Sequence, residues 1–445
     1  MARVQAEDWL KRWSLSRTGI CLALALSFPS CAASGDATPS ASPSALPDTL
    51  PEWSEGYLYI HHISVDGDAA YFVLPDGTTM MFDAGVSDKE AFEKRTAPLK
   101  AADRRPNRSR SSAEWYVDYI RNAAPKGKSI GLDYLVISHF HSDHYGYLTD
   151  SSPKSTRGDY YLSGVTELAD LLPIGTIIDR DYPTYDYPAD LRQIGSKDRN
   201  LQNYLNFVEA RRAHGERTEK LVAGRNDQIV LRDNASAYRN FEVRNVKANG
   251  DIWTGSGNET RKLFQAAQIL EPNGKYNENP LSLAIKVSYG HFDYFTGGDM
   301  TGASGPDFPE WFDTETPIAQ AVGEVDVFTM NHHGVRDANN SKFISALTPQ
   351  IFVIQGRTSD HPGQEVAHRM ISRNLYPGDR TIFSTFMHSE TETVYGPWFL
   401  NDVASKHGHV VIRVAPGGDQ FEIFVLDDSV PGLKVKSVFG PYRSR

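Results

Sequence analysis

The sequence predicts an α/β sandwich with β-sheets in its core. Three observations carry that reading. Strand-like and helix-like segments interleave from Tyr57 to the C-terminal region. Several of the strands are short apolar runs bounded by turn residues. The chain has 445 residues, 40% of them hydrophobic, which is enough for one large domain with a substantial core.

The elements follow in order. YLYIHHISV (57–65) reads as a strand. AAYFVL (69–74) and TTMMFDAG (78–85) read as a hairpin across the Pro75-Asp76-Gly77 turn. SAEWYVDYIRNA (112–123) has helical spacing and a serine start. LDYLVIS (132–138) is a short buried strand, and residues 201–213 have a helical pattern. LSLAIKVSYG (281–290) and HFDYFTGGD (291–299) form a second hairpin that turns near Gly290. VDVFTMN (325–331) and PQIFVIQG (349–356) are two more apolar strands. Residues 364–375 read as a helix, and HVVIRV with FEIFVL as a terminal strand pair. Residues 151–275 carry the weakest signals and read as insertions over the active face. No internal repeat is visible.

Composition excludes several classes. With 46 basic and 56 acidic side chains the formal charge is −10, which disfavours a protein that coats nucleic acid. The two cysteines, Cys21 and Cys31, cannot build a disulfide scaffold or a cysteine metal site. Both lie in a leader: Lys11, Arg12 and Arg17 precede the apolar stretch GICLALALSF (19–28), and Ser30, Ala32 and Ala33 follow it. This order predicts an export signal over residues 1–33, since the stretch is about half the ~20 residues of a membrane span. The mature chain is then periplasmic, envelope-anchored or secreted. Cys31 would be the lipidated membrane tether of a lipoprotein form. Residues 34–51 are rich in Ser, Ala and Pro and read as an extended linker, followed by one folded domain over 52–445.

The densest chemistry is His139-Phe140-His141-Ser142-Asp143-His144, directly after the strand LDYLVIS. Three imidazoles and a carboxylate within six residues suit a transition metal. In extended chain, His139 and His141 point to one side and can grip one ion. A turn after Ser142, permitted by Gly146, aims Asp143 and His144 at a second.

HFHSDH resembles the HxHxDH motif of the metallo-β-lactamase superfamily, and further matches come in that family's order. PDGTTMMFDAG resembles the strand pair that places an aspartate, here Asp83, beneath the metals. DYFTGGD resembles the segment whose aspartate, here Asp299, bridges both ions. VFTMNHHG supplies the last metal histidine, His333. The resemblance implies a four-layer αββα sandwich with insertions and two divalent ions, zinc first and manganese as the alternative. Within the superfamily, HHISVDGDAAYFVLPDGTTMMFDAG, NPLSLAIKVSYGHFDYFTGGD, NHHG and SDHPGQEVAHRM are similar to the soluble hydrolase domain of ComEC-type competence proteins. Phosphorylcholine esterases share the paired histidines. The membrane channel of the competence proteins has no counterpart here, so DNA uptake is not implied.

One departure matters. Lactamases, glyoxalase II enzymes and many lactonases carry a further metal histidine in a Gly-His-Thr sequence, and this chain has no His-Thr pair. The competence-type pattern has an asparagine there, here Asn279. The third ligand of the first ion is therefore Asn279, His291 or water. An amide oxygen is a harder ligand than imidazole and admits manganese.

The resemblance then implies a hydrolase with a metal-bridging hydroxide as nucleophile. His139 and His141 hold the first ion, with Asn279. Asp143, His144 and His333 hold the second, and Asp299 bridges. Asp143, His332 and His361 are the candidates for the chemistry itself; the two histidines would stabilise developing charge or protonate the leaving group. His62 is placed near the site and His61 on the opposite strand face, with His368, His388, His407 and His409 at the surface.

The favoured substrate is a phosphodiester-type bond in a small molecule or surface polymer, with no stable nucleic-acid partner. Arg104, Arg105, Arg108 and Arg110 with Lys100 are either a basic stripe or a solvated loop. Tyr182, Tyr185 and Tyr187 either wall a pocket or form a surface loop. The alternatives are hydrolysis of a lactone, thioester or β-lactam, and a non-catalytic surface binding protein on the same scaffold.

Overall fold

Period-two alternation along the strands sorts the side chains into layers. On the first strand, Leu58 and Ile60 join one apolar cluster and Tyr59 another on the opposite face. Met80 and Met81, Tyr134 and Leu135, and Ile177 and Ile178 divide between the same two clusters. In the second half of the chain, Val327 and Phe328, Ile351 and Phe352, and Phe383 and Ile382 divide in the same way. One cluster therefore lies between two sheets, and each sheet buries its other face under helices.

The computed structural model describes residues 46–445. The leader, Cys31 and most of the linker lie outside the described residues. Each sheet has nine strands. The first runs in the order Val435–Arg443, Gln420–Leu426, His409–Val414, Leu58–His62, Ala70–Val73, Thr79–Phe82, Leu132–Val136, Ile174–Asp179, Arg217–Lys220. The second runs Val403–Ser405, Thr381–Ser384, Ile351–Ile354, Val327–Thr329, Phe292–Thr296, Ala284–Tyr289, Phe241–Ala248, Asp251–Trp253, Thr260–Lys262. Helices Ser112–Ala123 and Arg199–Ala213 cover the first sheet. Helices Ser341–Leu347 and Gln364–Ile371 cover the second. The fold is a mixed α/β sandwich of the metallo-β-lactamase kind. Among the described residues no helix is long and apolar enough to cross a membrane.

Local signals hold where the chain is locally determined. The helix at Ser112–Ala123 starts from a capping box, with Ser111 and Glu114 each satisfying the other's backbone N–H. The terminal strand pair gains a third strand, Val435–Arg443, at the sheet edge. Residues 151–275 supply strands to both sheets as well as the helix Arg199–Ala213.

The topology gathers the chemistry at one rim. From Thr79–Phe82 to Arg217–Lys220 the first sheet is parallel, and from Phe292–Thr296 to Val403–Ser405 so is the second. Asp83, His139, Asp299, His332 and His361 all follow the carboxyl ends of these strands, where α/β sheets present ligands.

Two histidines lie elsewhere than expected. His409 is buried, and its Nδ1 accepts from Ser64 N at 3.0 Å. It begins a strand of the first sheet and packs on Tyr119, so sheet pairing carries it inside. His62 sits between the sheets, where its Nε2 meets Thr329 Oγ1 at 2.8 Å and Tyr294 Oη at 3.2 Å, rather than lining the metal centre. Burial pushes the imidazoles of His61, His62 and His409 down, to about 3, about 4 and about 4. Folded pKa values below the ordinary value of about 6.5 mean that the unfolded chain takes up protons first as pH falls. Their stabilising contribution is thus complete above about pH 6.5 and is lost towards about pH 4, at about 1.4 kcal/mol per pH unit for each group. Urea midpoints from about pH 8 to about pH 5 should fall with acidification through these groups, and His409→Phe should flatten the slope. A slope unchanged by His409→Phe would count against the buried neutral state.

Candidate metal centre

The strand Leu132–Val136 delivers its successor residues to the rim, where Ser142–Tyr145 turns as a single helical turn. Two glycines let other loops close beneath it. A Cβ on Gly85 or on Gly67 would overlap the Asp143 carbonyl. Asp68 N donates to that carbonyl at 2.8 Å, and Ala84 N donates to His144 O at 3.0 Å.

Asp299 lies between two sets of imidazoles. Its Oδ1 is 3.1 Å from His144 Nε2 and 3.7 Å from His333 Nε2. Its Oδ2 is 3.6 Å from both His139 Nε2 and His332 Nε2. His139 Nε2 and His141 Nδ1 are 3.1 Å apart, and Asp143 Oδ2 is 3.4 Å from His333 Nε2. Asp68, His144, Asp299 and His333 each offer one ligand atom within 4.8 Å of the others, and so do His139, His141 and Asp299.

The outer nitrogens are engaged, which turns the inner ones toward the shared space. Asp83 Oδ2 accepts from His144 Nδ1 at 2.8 Å, and the same carboxylate accepts from Ser138 N and Oγ. With its proton given to Asp83, Ser138 Oγ accepts from His139 Nδ1 at 3.0 Å. His333 Nδ1 faces Gln355 O at 3.2 Å and Asp68 Oδ1 at 3.1 Å. His332 Nδ1 donates to Asp337 Oδ1 at 2.7 Å. Three residues here, Asp83, His332 and His333, adopt left-handed backbone with φ of 62°, 48° and 53°. Such strain concentrates at functional sites.

Burial and charge act together. Burial disfavours ionised His144 and His333, but the surrounding carboxylates outweigh it, Asp299 and Asp83 for His144 and Asp68 and Asp299 for His333. Both stay well above the usual imidazole range. Burial also opposes ionised Asp299, yet His144, His333, His332 and His139 hold its carboxyl well below the usual range. His139, buried and next to His144, is driven well below. Positive charge on the imidazoles and negative charge on the carboxylates thus favour each other here. A divalent ion bound there would supply the same positive charge.

The residues fit divalent metal. Asn279 Oδ1 is buried with no hydrogen-bond partner among the described residues, and His144 Nε2 and Asp299 Oδ1, 3.1 Å apart, have none beyond each other. Buried polar atoms without partners are costly unless something else meets them. The ligand types, imidazole and carboxylate, suit zinc and manganese alike.

Residues 65–150 match the family model of the metallo-beta-lactamase superfamily. No curated protein was found to match. The metallo-beta-lactamase segment contains Asp68, Asp83 and the whole His139–His144 cluster, whereas Asp299, His332, His333 and His361 come from the chain beyond it. Together, the segment and the His/Asp cluster support a metal-dependent hydrolase in general terms.

Some expected residues stand apart. His291 is exposed at its hairpin turn and pairs with Asp419 at 3.0 Å, far from the cluster in the fold. Asn279 does approach, with its Nδ2 3.1 Å from His332 Nε2. His361 stacks on His333, ring centroids 4.6 Å apart and 7° from parallel. Tyr185 turns inward to donate to Asp179 and does not wall an open pocket. The arginine run is ion-paired: Arg104 with Asp66, Arg108 with Glu90 and Asp103, and Arg110 with Asp118.

Sequence reasoning missed Asp68, Asp337 and a buried pair, Arg180 and Glu278. Asp68 lies within the segment HHISVDGDAAYFVL, where nothing local marks it as facing a histidine. Glu278 Oε1 accepts from Phe140 N at 2.9 Å, between His139 and His141, which with Asp299 form the first lobe of the centre, and Arg180 grips both its oxygens at 2.6 and 2.9 Å. Nothing in the local sequence marks that pairing.

Proposed function

We propose that the chain is an exported dinuclear metallohydrolase acting on a phosphodiester-type bond. The observation that carries the dinuclear reading is Asp299, whose two oxygens face separate sets of imidazoles. The phosphodiester preference is supported by the similarity to ComEC-type hydrolase domains and by Asn279, rather than a Gly-His-Thr histidine, at the first lobe.

His139, His141 and Asn279 would hold the first ion, with zinc favoured over manganese. Asp143, His144 and His333 would hold the second, with Asp299 shared. When bound, the ions activate water and neutralise charge on the substrate. Asp83, Ser138 and Asp68 keep the imidazoles turned inward. His332, held by Asp337, stands over the first lobe where it can orient substrate or handle a proton. The paired arginines offer few free cations, which supports a small-molecule or surface-polymer substrate over a nucleic-acid partner. Export, and a tether through a lipidated Cys31, rest on the leader alone.

The test is metal content of purified protein, followed by turnover of bis(p-nitrophenyl) phosphate beside nitrocefin. Two ions per chain with phosphodiester turnover is the expected result. Nitrocefin turnover alone would replace this reading with a lactamase-type one. Protein that cannot be loaded with zinc or manganese and stays inactive would favour a surface binding role.

A further inference from the structure

We propose that His361 serves the centre as a neutral hydrogen-bond donor, offering its Nε2–H to the substrate oxygen on which charge develops, and does not act as a general acid. The inference rests on the phosphodiester-hydrolase reading above. It is carried by how the ring is held. His361 Nδ1 lies 3.1 Å from Arg357 N and 3.4 Å from Thr358 N. A backbone N–H can only donate, so Nδ1 must keep its lone pair. The one proton of the neutral ring is therefore on Nε2. Protonating Nδ1 as well would set it against two backbone donors, in a side chain that is 8% exposed.

This arrangement decides between two kinds of chemistry. A general acid hands over a proton and returns to a stable base. From a ring locked as the Nε2–H tautomer, loss of that proton leaves an imidazolate, a strongly basic anion unsuited to neutral pH. The charged imidazolium that would make the ring a competent acid needs the Nδ1 proton that Arg357 N and Thr358 N oppose. Donation without transfer is the role that remains.

Position agrees. The ring lies flat on His333, whose Nε2 faces Asp143 and Asp299. Among the described residues Nε2 of His361 has no hydrogen-bond acceptor; the Asp360 carboxylate stays 3.9 Å away. His332 is built the opposite way. Its Nδ1 donates to a carboxylate, Asp337, at 2.7 Å, and its Nε2 meets Asn279 Nδ2 at 3.1 Å. The two histidines beside the ligands are thus held in opposite tautomers.

The experiment uses zinc-loaded protein and a series of aryl phosphodiesters with increasingly basic phenol leaving groups. His361→Phe keeps a flat ring against His333 but removes the N–H. It should lower kcat by about 10²–10³-fold, by the same factor for every phenol, with zinc content unchanged. His361→Gln, which restores an N–H donor, should recover part of the loss. A loss that grows with leaving-group basicity, or deletion of one limb of the pH profile, would mean general-acid catalysis and overturn the proposal. Wild-type activity in His361→Phe would reduce the residue to packing. Nitrogen-15 NMR of the ring, identified by its absence in His361→Phe, should show Nε2 protonated and Nδ1 bare; the reverse tautomer overturns the inference without any activity being measured. Wild-type protein holding two zinc ions but cleaving none of these esters would sink the phosphodiester reading and the assigned acceptor with it, while an Nδ1-protonated ring sinks the donor role alone.

Discussion

Replacing Asp299 with alanine should empty both metal positions together and abolish hydrolysis while the chain still folds. Among the described residues no other carboxylate faces both sets of imidazoles: Oδ1 lies toward His144 and His333, and Oδ2 toward His139 and His332. Replacing outer partners of metal ligands typically costs ~10–100-fold in metal affinity. Loss of a shared ligand should exceed that at both positions. The fold should survive because the cradle does not depend on Asp299. Asp83 still holds His144, and Ser138 still holds His139. Asp299→Asn separates shape from charge, since it keeps the volume but removes the anion that offsets the imidazoles. Zinc titration followed by calorimetry, with a melting curve in chelator, reads both effects. Retention of one tightly bound ion with near-normal turnover would refute the shared role.

The second large effect is expected at Arg180→Met. The guanidinium is fully buried at the end of strand Ile174–Asp179, and it lies 4.5 Å over the Phe140 ring. Besides both Glu278 oxygens it reaches Tyr187 O at 2.9 Å and Asn249 Oδ1 at 3.3 Å. Removing it strands a buried carboxylate with little more than the Phe140 N–H. Breaking a buried ion pair from one side costs about 3–5 kcal/mol, whereas replacing both partners with apolar groups costs far less. Arg180→Met alone should therefore be much less stable in urea than Arg180→Met with Glu278→Leu. Both variants should bind the first ion more weakly, because Glu278 ties Phe140, between His139 and His141, to Asn279 next in sequence. Equal stability of the single and double variants would show that the pair contributes no net clamp.

The boundary between readable and unreadable runs along sequence distance. The His139–His144 cluster was legible because its ligands share one short loop after an apolar strand. Ser112–Ala123 was legible because capping and helical spacing are local. The position of His409 was not, since its burial depends on strand pairing with Gln420–Leu426 and Leu58–His62 and on the helix that carries Tyr119. His62 shows the same limit. Alternation identifies which side of the strand it faces, but only the second sheet, with Thr329 and Tyr294, turns that side into a core. Asp68 and Asp337 are single carboxylates whose partners, His333 and His332, lie up to hundreds of residues away in the chain or across a turn of strained backbone.

By itself the sequence determined the interleaving of strands and helices, the alternation along the strands and the residue types that bind metal. These depend on side-chain periodicity and on ligand chemistry, both written along the chain. Tertiary structure alone decided which oxygen of Asp299 faces which imidazole, how Asp83, Ser138, Asp68 and Asp337 hold the outer nitrogens, and which ring nitrogen of His361 is free to donate. Each of those is a direction in space set by a contact between distant segments. A directional bond has no one-dimensional signature, and so it emerges only when the parallel parts of two mixed sheets bring their carboxyl ends to one rim.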